Sequence, residues 1–161
     1  MVKKQMFLVM CLCLISVLAS VGQAQLPEPV GWWRLDDGDG TTASDTSGNG
    51  YDGTVSGGAT WVDGMHYKAL ELDGTGYVDL PPAVWNENLT DNTFSFCMWT
   101  RIYEIPGGGN TVVGLGPGRD FQSHLPWSSG TIYFDMTGTG GGNRGTTPYD
   151  PAWLGEWSHW T

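Results

Sequence analysis

Apolar and polar residues alternate in several short segments of this chain. The clearest are residues 77–80, 93–99 and 131–136, and a period of two is expected of half-buried β-strands. Gly-Gly, Asp-Gly and Pro-Gly pairs interrupt these segments at short spacing, as the turns of a β-sandwich do. A short helical turn is predicted only around 84–88. The pattern therefore predicts an all-β, antiparallel β-sandwich.

The N-terminus has the pattern of a secretory signal peptide. Lys3 and Lys4 precede an apolar run over residues 6–19, and small residues follow at Gly22 and Ala24. This run is shorter than the roughly 20 residues of a membrane span, and no second run follows. We expect residues 1–24 to be a signal peptide cleaved after Ala24. Residues 25–161 would then be secreted, extracellular or at the cell surface, with no membrane span.

Charge and cysteine content narrow the function classes. The full chain carries a net charge of −10, and cleavage after Ala24 leaves five cations and all 17 acids, a net charge of −12. Such a surface argues against nucleic acid as a partner and suits divalent cations or neutral sugars. Cys97 is the only cysteine after the leader, so no intramolecular disulfide is expected. Between Phe96 and Met98 on a predicted strand, Cys97 is expected to be buried and inert.

Five motifs occur in an order that is known from one protein family. They are GWWRLD at 31–36, which is expected to form the first strand, DTSGNGYDGT at 45–54, ALELDG at 69–74, FSFCMW at 94–99 and WSHW at 157–160. Together they resemble the laminin G-like, or concanavalin A-like lectin/glucanase, jelly-roll domains of bacterial secreted proteins. The resemblance implies one jelly-roll domain over 25–161. Further strands follow the WSHW strand in that family, so the domain is expected to be incomplete at its C-terminus.

A loop rich in oxygen ligands raises the question of calcium. Asp45, Ser47, Asn49 and Asp52 lie among glycines, and Ca²⁺ takes about six to eight oxygen ligands. The resemblance implies a structural Ca²⁺ near this loop, as in some members of the family, completed either by Asp73 or by residues absent from this sequence. The predicted ligands are therefore Asp45, Asn49, Asp52 and Asp73. The alternative is that Asp45 and Asn49 form Asx turns and bind no metal.

Aromatic residues in loop-like segments are the candidate ligand residues. Sugar-binding β-sandwiches stack exposed aromatic rings on sugar faces, and Trp127, Tyr149 and Trp153 lie in segments rich in Gly, Pro and Ser. Polar contacts are expected from Asp120 and Asn143, with Arg119 and Asp150 as further candidates. The alternative is that these rings cap the core. Core packing is the role predicted for Trp32 or Trp33, Trp61, Trp99 and Trp157.

No motif of catalysis is present. A retaining glycosidase needs two carboxyl groups about 5 Å apart, but Glu87, Glu104 and Glu156 are isolated and no Glu-x-Asp-x-x-Glu pattern occurs. The three histidines have no spacing typical of zinc ligands. We therefore predict a non-catalytic binding module for carbohydrate or another extracellular surface. The alternatives are an accessory domain of a larger polysaccharide-degrading enzyme and a structural or adhesive domain without a glycan ligand.

Overall fold

The computed structural model describes residues 27–88, 93–105, 107, 111–115, 121–136 and 144–161. The predicted signal peptide, Asp120 and Asn143 lie outside these residues. The described elements are β1 (Thr42–Ala43), β2 (Gly53–Ser56), β3 (Ala59–Asp63), β4 (Lys68–Leu72), β5 (Tyr77–Asp79), α1 (Ala83–Asn86), β6 (Met98–Arg101), β7 (Val113–Leu115), β8 (Phe121–His124), β9 (Thr131–Met136), β10 (Arg144–Pro148), a 3-10 helix (Pro151–Trp153) and β11 (Trp157–Trp160).

The strands form four antiparallel groups. One sheet has the order β1-β2-β5, and a second has the order β10-β9-β8-β7. Two pairs complete the set, the β3–β4 hairpin and the pair of β6 with β11, which sets Trp157 opposite Arg101. All these pairings are antiparallel. The predicted all-β, antiparallel jelly-roll β-sandwich is confirmed.

Alternation along β9 gives the four-stranded sheet two different faces. Successive side chains of a strand point to opposite faces. Ile132 is fully buried in the core with Leu125 and Tyr149, and half-buried hydrophobic residues pack around these three, namely Met98, Ile102, Ile105, Val112, Phe134, Leu154 and Trp160. Tyr133 and Asp135, at the intervening positions, therefore lie on the other face. This second face carries the polar residues described below.

The connection between β8 and β9 holds Trp127 at the end of the hairpin. The Trp127 amide donates to the Thr131 carbonyl at 2.8 Å, and the Gly130 amide donates back to the Trp127 carbonyl at 2.8 Å. Gly130 has a φ of +72°, a conformation that favours glycine. Leu125 and Pro126, just before Trp127, are fully buried. Trp127 therefore begins a tight turn on an anchored backbone.

The structure corrects two expectations about core residues. Cys97 is exposed and Trp99 is 56% exposed, although both were predicted to be buried. Strand β6 buries the alternate positions instead, with Met98 packed on the core and Trp99 set opposite His159 on the outer side. Phe94, Phe96 and Met98 alternate with Ser95, Cys97 and Trp99, two of which are also apolar. The sequence alone therefore does not decide which of the two sets faces the core.

Two strand boundaries also differ from the prediction. The segment 31–36 was expected to form the first strand, but it contributes only an isolated bridge between Trp33 and Asp45. Residues 93–97 precede β6 without strand pairing. Trp32 is exposed, whereas Trp33 is half-buried and its indole N–H donates to the Tyr51 carbonyl at 2.7 Å. Side-chain hydrogen bonds of this kind, more than strand pairing, hold the segment in place.

No helix among the described residues is long and apolar enough to cross a membrane.

Candidate binding face of the four-stranded sheet

Three strands bring a polar cluster together on the face opposite the core. The register sets Asp135 of β9 between Gln122 of β8 and Arg144 of β10, and it sets His124 opposite Tyr133. Gln122, His124 and Asp135 are all buried, and Asp135 is only 1% exposed. Buried polar side chains require hydrogen-bonding or charged partners, so the contacts of Asp135 decide how this cluster is stabilised.

Asp135 is the centre of the cluster. The Arg144 guanidinium binds it through two nitrogens: Nη2 lies 2.8 Å from Oδ2, and Nε donates to Oδ1. Gln122 Nε2 also donates to Oδ2 at 3.2 Å, and His124 Nε2 lies 3.9 Å from the same oxygen. The hydrogen bond from Arg144 lowers the pKa of Asp135 despite its burial, and the same bond raises the pKa of Arg144. Asp135 and Arg144 therefore form an ion pair.

Two aromatic rings, those of Tyr133 and Trp127, lie next to this cluster. The Arg144 guanidinium carbon lies 4.6 Å from the centroid of the Tyr133 ring, within the range of a cation–π contact. The Trp127 ring lies 4.6 Å from the His124 ring and 6.4 Å from the Tyr133 ring. Its plane is nearly perpendicular to both, at 78° and 88°. We call this set, Gln122, His124, Trp127, Tyr133, Asp135 and Arg144, the Trp127 face.

The other two predicted aromatic ligand residues lie elsewhere. Tyr149 lies in the connection between β10 and the 3-10 helix, but it is 5% exposed within the core, and burial raises its pKa. Its ring lies 5.3 Å from that of Trp153 and 6.4 Å from that of Trp160. Trp153 and Trp127 are equally exposed, at 38% and 37%, yet Trp153 packs on these core rings. For Tyr149 and Trp153 the contacts favour the alternative of capping the core.

Asp120 and Asn143, the predicted polar ligand residues, lie outside the described residues. Asp120 directly precedes β8, and Asn143 directly precedes Arg144 at the start of β10. Their role in ligand binding stays a prediction.

The loop predicted to bind calcium is organised around the Asp45 carboxylate. Asp45 Oδ1 accepts from the amides of Trp32 and Ser47, each at 2.9 Å. Oδ2 accepts from the Ser47 hydroxyl at 2.8 Å and from the Tyr51 amide at 3.0 Å. Burial raises the pKa of Asp45, but these hydrogen bonds outweigh it and lower the pKa to about 2. The carboxylate therefore joins three separated parts of the chain.

The other predicted calcium ligands also make hydrogen bonds within the protein. Asp52 Oδ1 accepts from the Asp45 amide at 2.8 Å, and Asn49 Nδ2 donates to the Val30 carbonyl at 2.9 Å. Asp73 Oδ1 accepts from the amide and hydroxyl of Thr75, both at 2.8 Å. The hydrogen bond from the Thr75 amide is the main cause of the lowered pKa of Asp73. The Asp73 contacts, made to a residue two positions on, are those of an Asx turn, whereas Asp52 and Asn49 join separated parts of the chain.

The hydrogen bonds that the Asp45 carboxylate accepts in this structure do not fit the role of a calcium ligand. An ionised carboxylate offers about four lone-pair positions, and four hydrogen-bond donors already approach Asp45. Across the described residues, no group of three or more His, Cys, Asp or Glu side chains is arranged to hold a metal ion. The contacts favour the turn alternative, and calcium binding stays a prediction.

Most of the Trp127 face was not predicted from the sequence. Of its six residues only Trp127 was proposed as a ligand residue. The available signal was weak, since β8 reads Phe-Gln-Ser-His without alternation, and only Asp135 stands out as an acidic residue in the otherwise largely apolar strand β9. A strand pattern alone is equally typical of a solvent-facing edge, because it does not give the register between strands.

Comparison with known proteins agrees with this architecture. A sequence model described as the concanavalin A-like lectin/glucanases superfamily matches residues 72–161. This range contains β5 to β11 and the whole Trp127 face, whereas the Asp45 loop precedes it. Neither the curated proteins nor the solved structures gave a match to this chain. Since the matched range is more than half of the chain, the protein belongs to the concanavalin A-like lectin/glucanases superfamily.

Proposed function

We propose that this protein is a secreted, non-catalytic binding module that recognises carbohydrate, or another extracellular surface, through the Trp127 face. One observation carries the proposal. Trp127 is exposed on a tight turn, while its ring is held by His124 and Tyr133 above a buried polar cluster.

The physical basis is the combination of a fixed apolar surface with polar groups. An indole presents a flat apolar surface of the kind that stacks on a sugar ring, and it has only two side-chain torsions to fix on binding. Because His124 and Tyr133 already hold the ring, little additional conformational entropy is lost when a ligand binds. The half-exposed Arg144 lies on the Tyr133 ring, which contacts the Trp127 ring, and it offers N–H donors to ligand hydroxyls.

The electrostatics of the described carboxyl groups support a non-catalytic role. A glycosidase acid needs a raised pKa so that it holds a proton near neutral pH. Every described carboxyl group with a resolved shift, namely Asp45, Asp63, Asp73 and Asp135, has a lowered pKa. Asp135, on the Trp127 face, is held ionised by Arg144 and is therefore unsuited to donate a proton.

Export is the second part of the proposal. The basic start, apolar run and small residues of 1–24 support a cleaved signal peptide. We expect the exported protein to begin at Gln25, which N-terminal sequencing of the mature chain would check. An intact N-terminus on the exported protein would contradict this part of the proposal.

The ligand proposal is tested by comparing two tryptophan variants. We expect Trp127→Ala to lose retardation in native gels that contain the polysaccharide retarding the wild type, because the stacking surface is removed. Trp153→Ala serves as the matched control, since the two side chains are equally exposed. It should keep the retardation but lower the thermal midpoint, because Trp153 packs on Tyr149 and Trp160.

Two other outcomes would favour the alternative functions. Equal retardation of the wild type and of a folded Trp127→Ala variant would place the ligand contact elsewhere. No retardation by any polysaccharide would favour a structural or adhesive domain. The accessory-domain alternative predicts that the chain increases the activity of a polysaccharide-degrading enzyme fused to it, and that Trp127→Ala removes this increase.

A further inference from the structure

We infer that the Trp127 face selects uncharged glycans and discriminates against glycans that carry carboxylate or sulfate groups. The inference rests on the proposed function and names the ligand class of the same site. It follows from the ion pair between Arg144 and Asp135 on this face, in which each side chain is bound by the other.

The first step concerns the donors of Arg144. A guanidinium recognises a carboxylate or sulfate through two parallel N–H groups. In this protein Nε and Nη2 of Arg144 are already directed at the two oxygens of Asp135. An acidic sugar could reach only the outer pair of N–H groups, on Nη1 and Nη2, and the charge of this guanidinium is already balanced by Asp135.

The second step concerns displacement of Asp135. An anionic ligand could bind Nε and Nη2 of Arg144 only by breaking the ion pair. Asp135 is 1% exposed, and its remaining neighbours in this cluster are the neutral Gln122 amide and the His124 ring. Breaking the pair would leave a buried carboxylate without its main counter-charge, which is strongly unfavourable. The ion pair therefore opposes exchange of Asp135 for a ligand anion.

The third step concerns the charge of the whole molecule. The chain carries a net charge of −10, so a polyanion approaching the sheet meets long-range repulsion. The ion pair adds no net positive charge to offset it. A neutral glycan has no such barrier, and its hydroxyls need only the N–H groups that Arg144 keeps beside the Tyr133 ring, which in turn contacts the Trp127 ring.

The test uses polysaccharides that share a backbone and differ in charge. Suitable pairs are methyl-esterified and de-esterified galacturonan, hydroxyethyl- and carboxymethylcellulose, and desulfated and sulfated galactan. Retardation in affinity gels measures binding to each member. Where either member of a pair binds, we expect the uncharged polysaccharide to bind at least about tenfold more tightly than the charged one. One unfavourable charged contact is enough for a ratio of affinities of this size.

Salt separates the two physical causes. Repulsion between exposed charges is screened between about 20 mM and about 500 mM NaCl, whereas the pairing of a buried carboxylate is screened much less. We therefore expect the preference for the uncharged member to narrow at high salt but to persist. A preference that vanishes at high salt would overturn the role given to Arg144 and Asp135.

A variant tests the ion pair directly. Asp135→Asn removes the counter-charge and releases the Nε and Nη2 donors of Arg144. We expect the charged member of each pair to gain affinity in this variant relative to the uncharged one. If the variant does not fold, the wild-type comparison decides. Tighter, salt-sensitive binding of the wild type to charged members would overturn the inference alone, whereas no binding to any polysaccharide would also overturn the proposed function.

Discussion

Asp135 is the residue on which the polar face of the sheet depends. It is fully buried and bound by Arg144 through two nitrogens, with Gln122 as a third donor. Removing one partner of a buried ion pair costs about 3–5 kcal/mol. Because Arg144 is itself partly exposed, we expect Asp135→Asn to lower the free energy of unfolding by about 3 kcal/mol, at the lower end of that range. Urea unfolding at pH 7 measures this difference.

An exposed ion pair offers the matched control for this substitution. Asp63 lies 2.7 Å from Lys68 Nζ, and its side chain is 90% exposed. Asp63→Asn makes the same chemical change at a pair that water screens, so we expect no measurable shift of the urea midpoint. Equal losses in the two variants would show that burial of Asp135 adds nothing to its pairing with Arg144.

On the scale of one element, the Asp45 loop distinguishes turn chemistry from calcium binding. If Asp45 acts as the acceptor of four hydrogen bonds, Asp45→Asn should destabilise the protein equally in Ca²⁺ and in chelator. We expect a loss of about 1–2 kcal/mol once the partial solvent exposure of the carboxylate is discounted. Thermal unfolding of both proteins in Ca²⁺ and in EGTA measures the effect.

The control for the loop is the exposed Asp39. It lies in the neighbouring acidic segment. Asp39→Asn therefore removes one negative charge, as Asp45→Asn does, but keeps the carboxylate that accepts the hydrogen bonds of the loop. We expect this control to leave the thermal midpoint unchanged in both conditions. A loss caused by Asp45→Asn in Ca²⁺ only, with a wild-type midpoint that rises on adding Ca²⁺, would instead identify Asp45 as a metal ligand.

The strands show how far an element can be predicted from its own sequence. The alternation over 77–80 and 131–136 predicted β5 and β9 correctly, because one set of positions is clearly more apolar than the other. Around β6 the alternation was recognised but its phase was wrong. Cys97 and Trp99 are as apolar as Phe96 and Met98, so the choice of inward face depends on β11, which contributes Trp160 to the core.

At the scale of the whole molecule, the Trp127 face could not be predicted because it depends on the register between strands. Asp135 meets Gln122 and Arg144 only when β8, β9 and β10 pair as they do. A shift of one residue in either pairing would send these side chains to opposite faces. The sequence predicted the sandwich and proposed Trp127, together with Tyr149 and Trp153, as a ligand residue, since both predictions depend on local composition. The polar partners depend on pairing between separated strands, which local composition does not encode.

Acid unfolding tests the contribution of the lowered carboxyl pKa values to the whole fold. A group whose pKa is lower in the folded state than the ordinary 3.8 stabilises the protein above that value. This stabilisation is lost as the pH falls toward the folded pKa, which is about 2 for Asp45. We therefore expect the free energy of unfolding, measured in urea, to fall most steeply between about pH 4 and pH 2.

The double variant Asp45→Asn, Asp135→Asn assigns this loss to two sites. It should be less stable than the wild type at pH 7, because both carboxylates are ionised there and accept their hydrogen bonds. As these carboxylates become protonated, the wild type loses the stabilisation by the two ionised groups, which the variant lacks at every pH. The difference in the free energy of unfolding between the two proteins should therefore shrink toward pH 2. A difference that stayed constant from pH 7 to pH 2 would show that the stability does not depend on ionisation of Asp45 and Asp135.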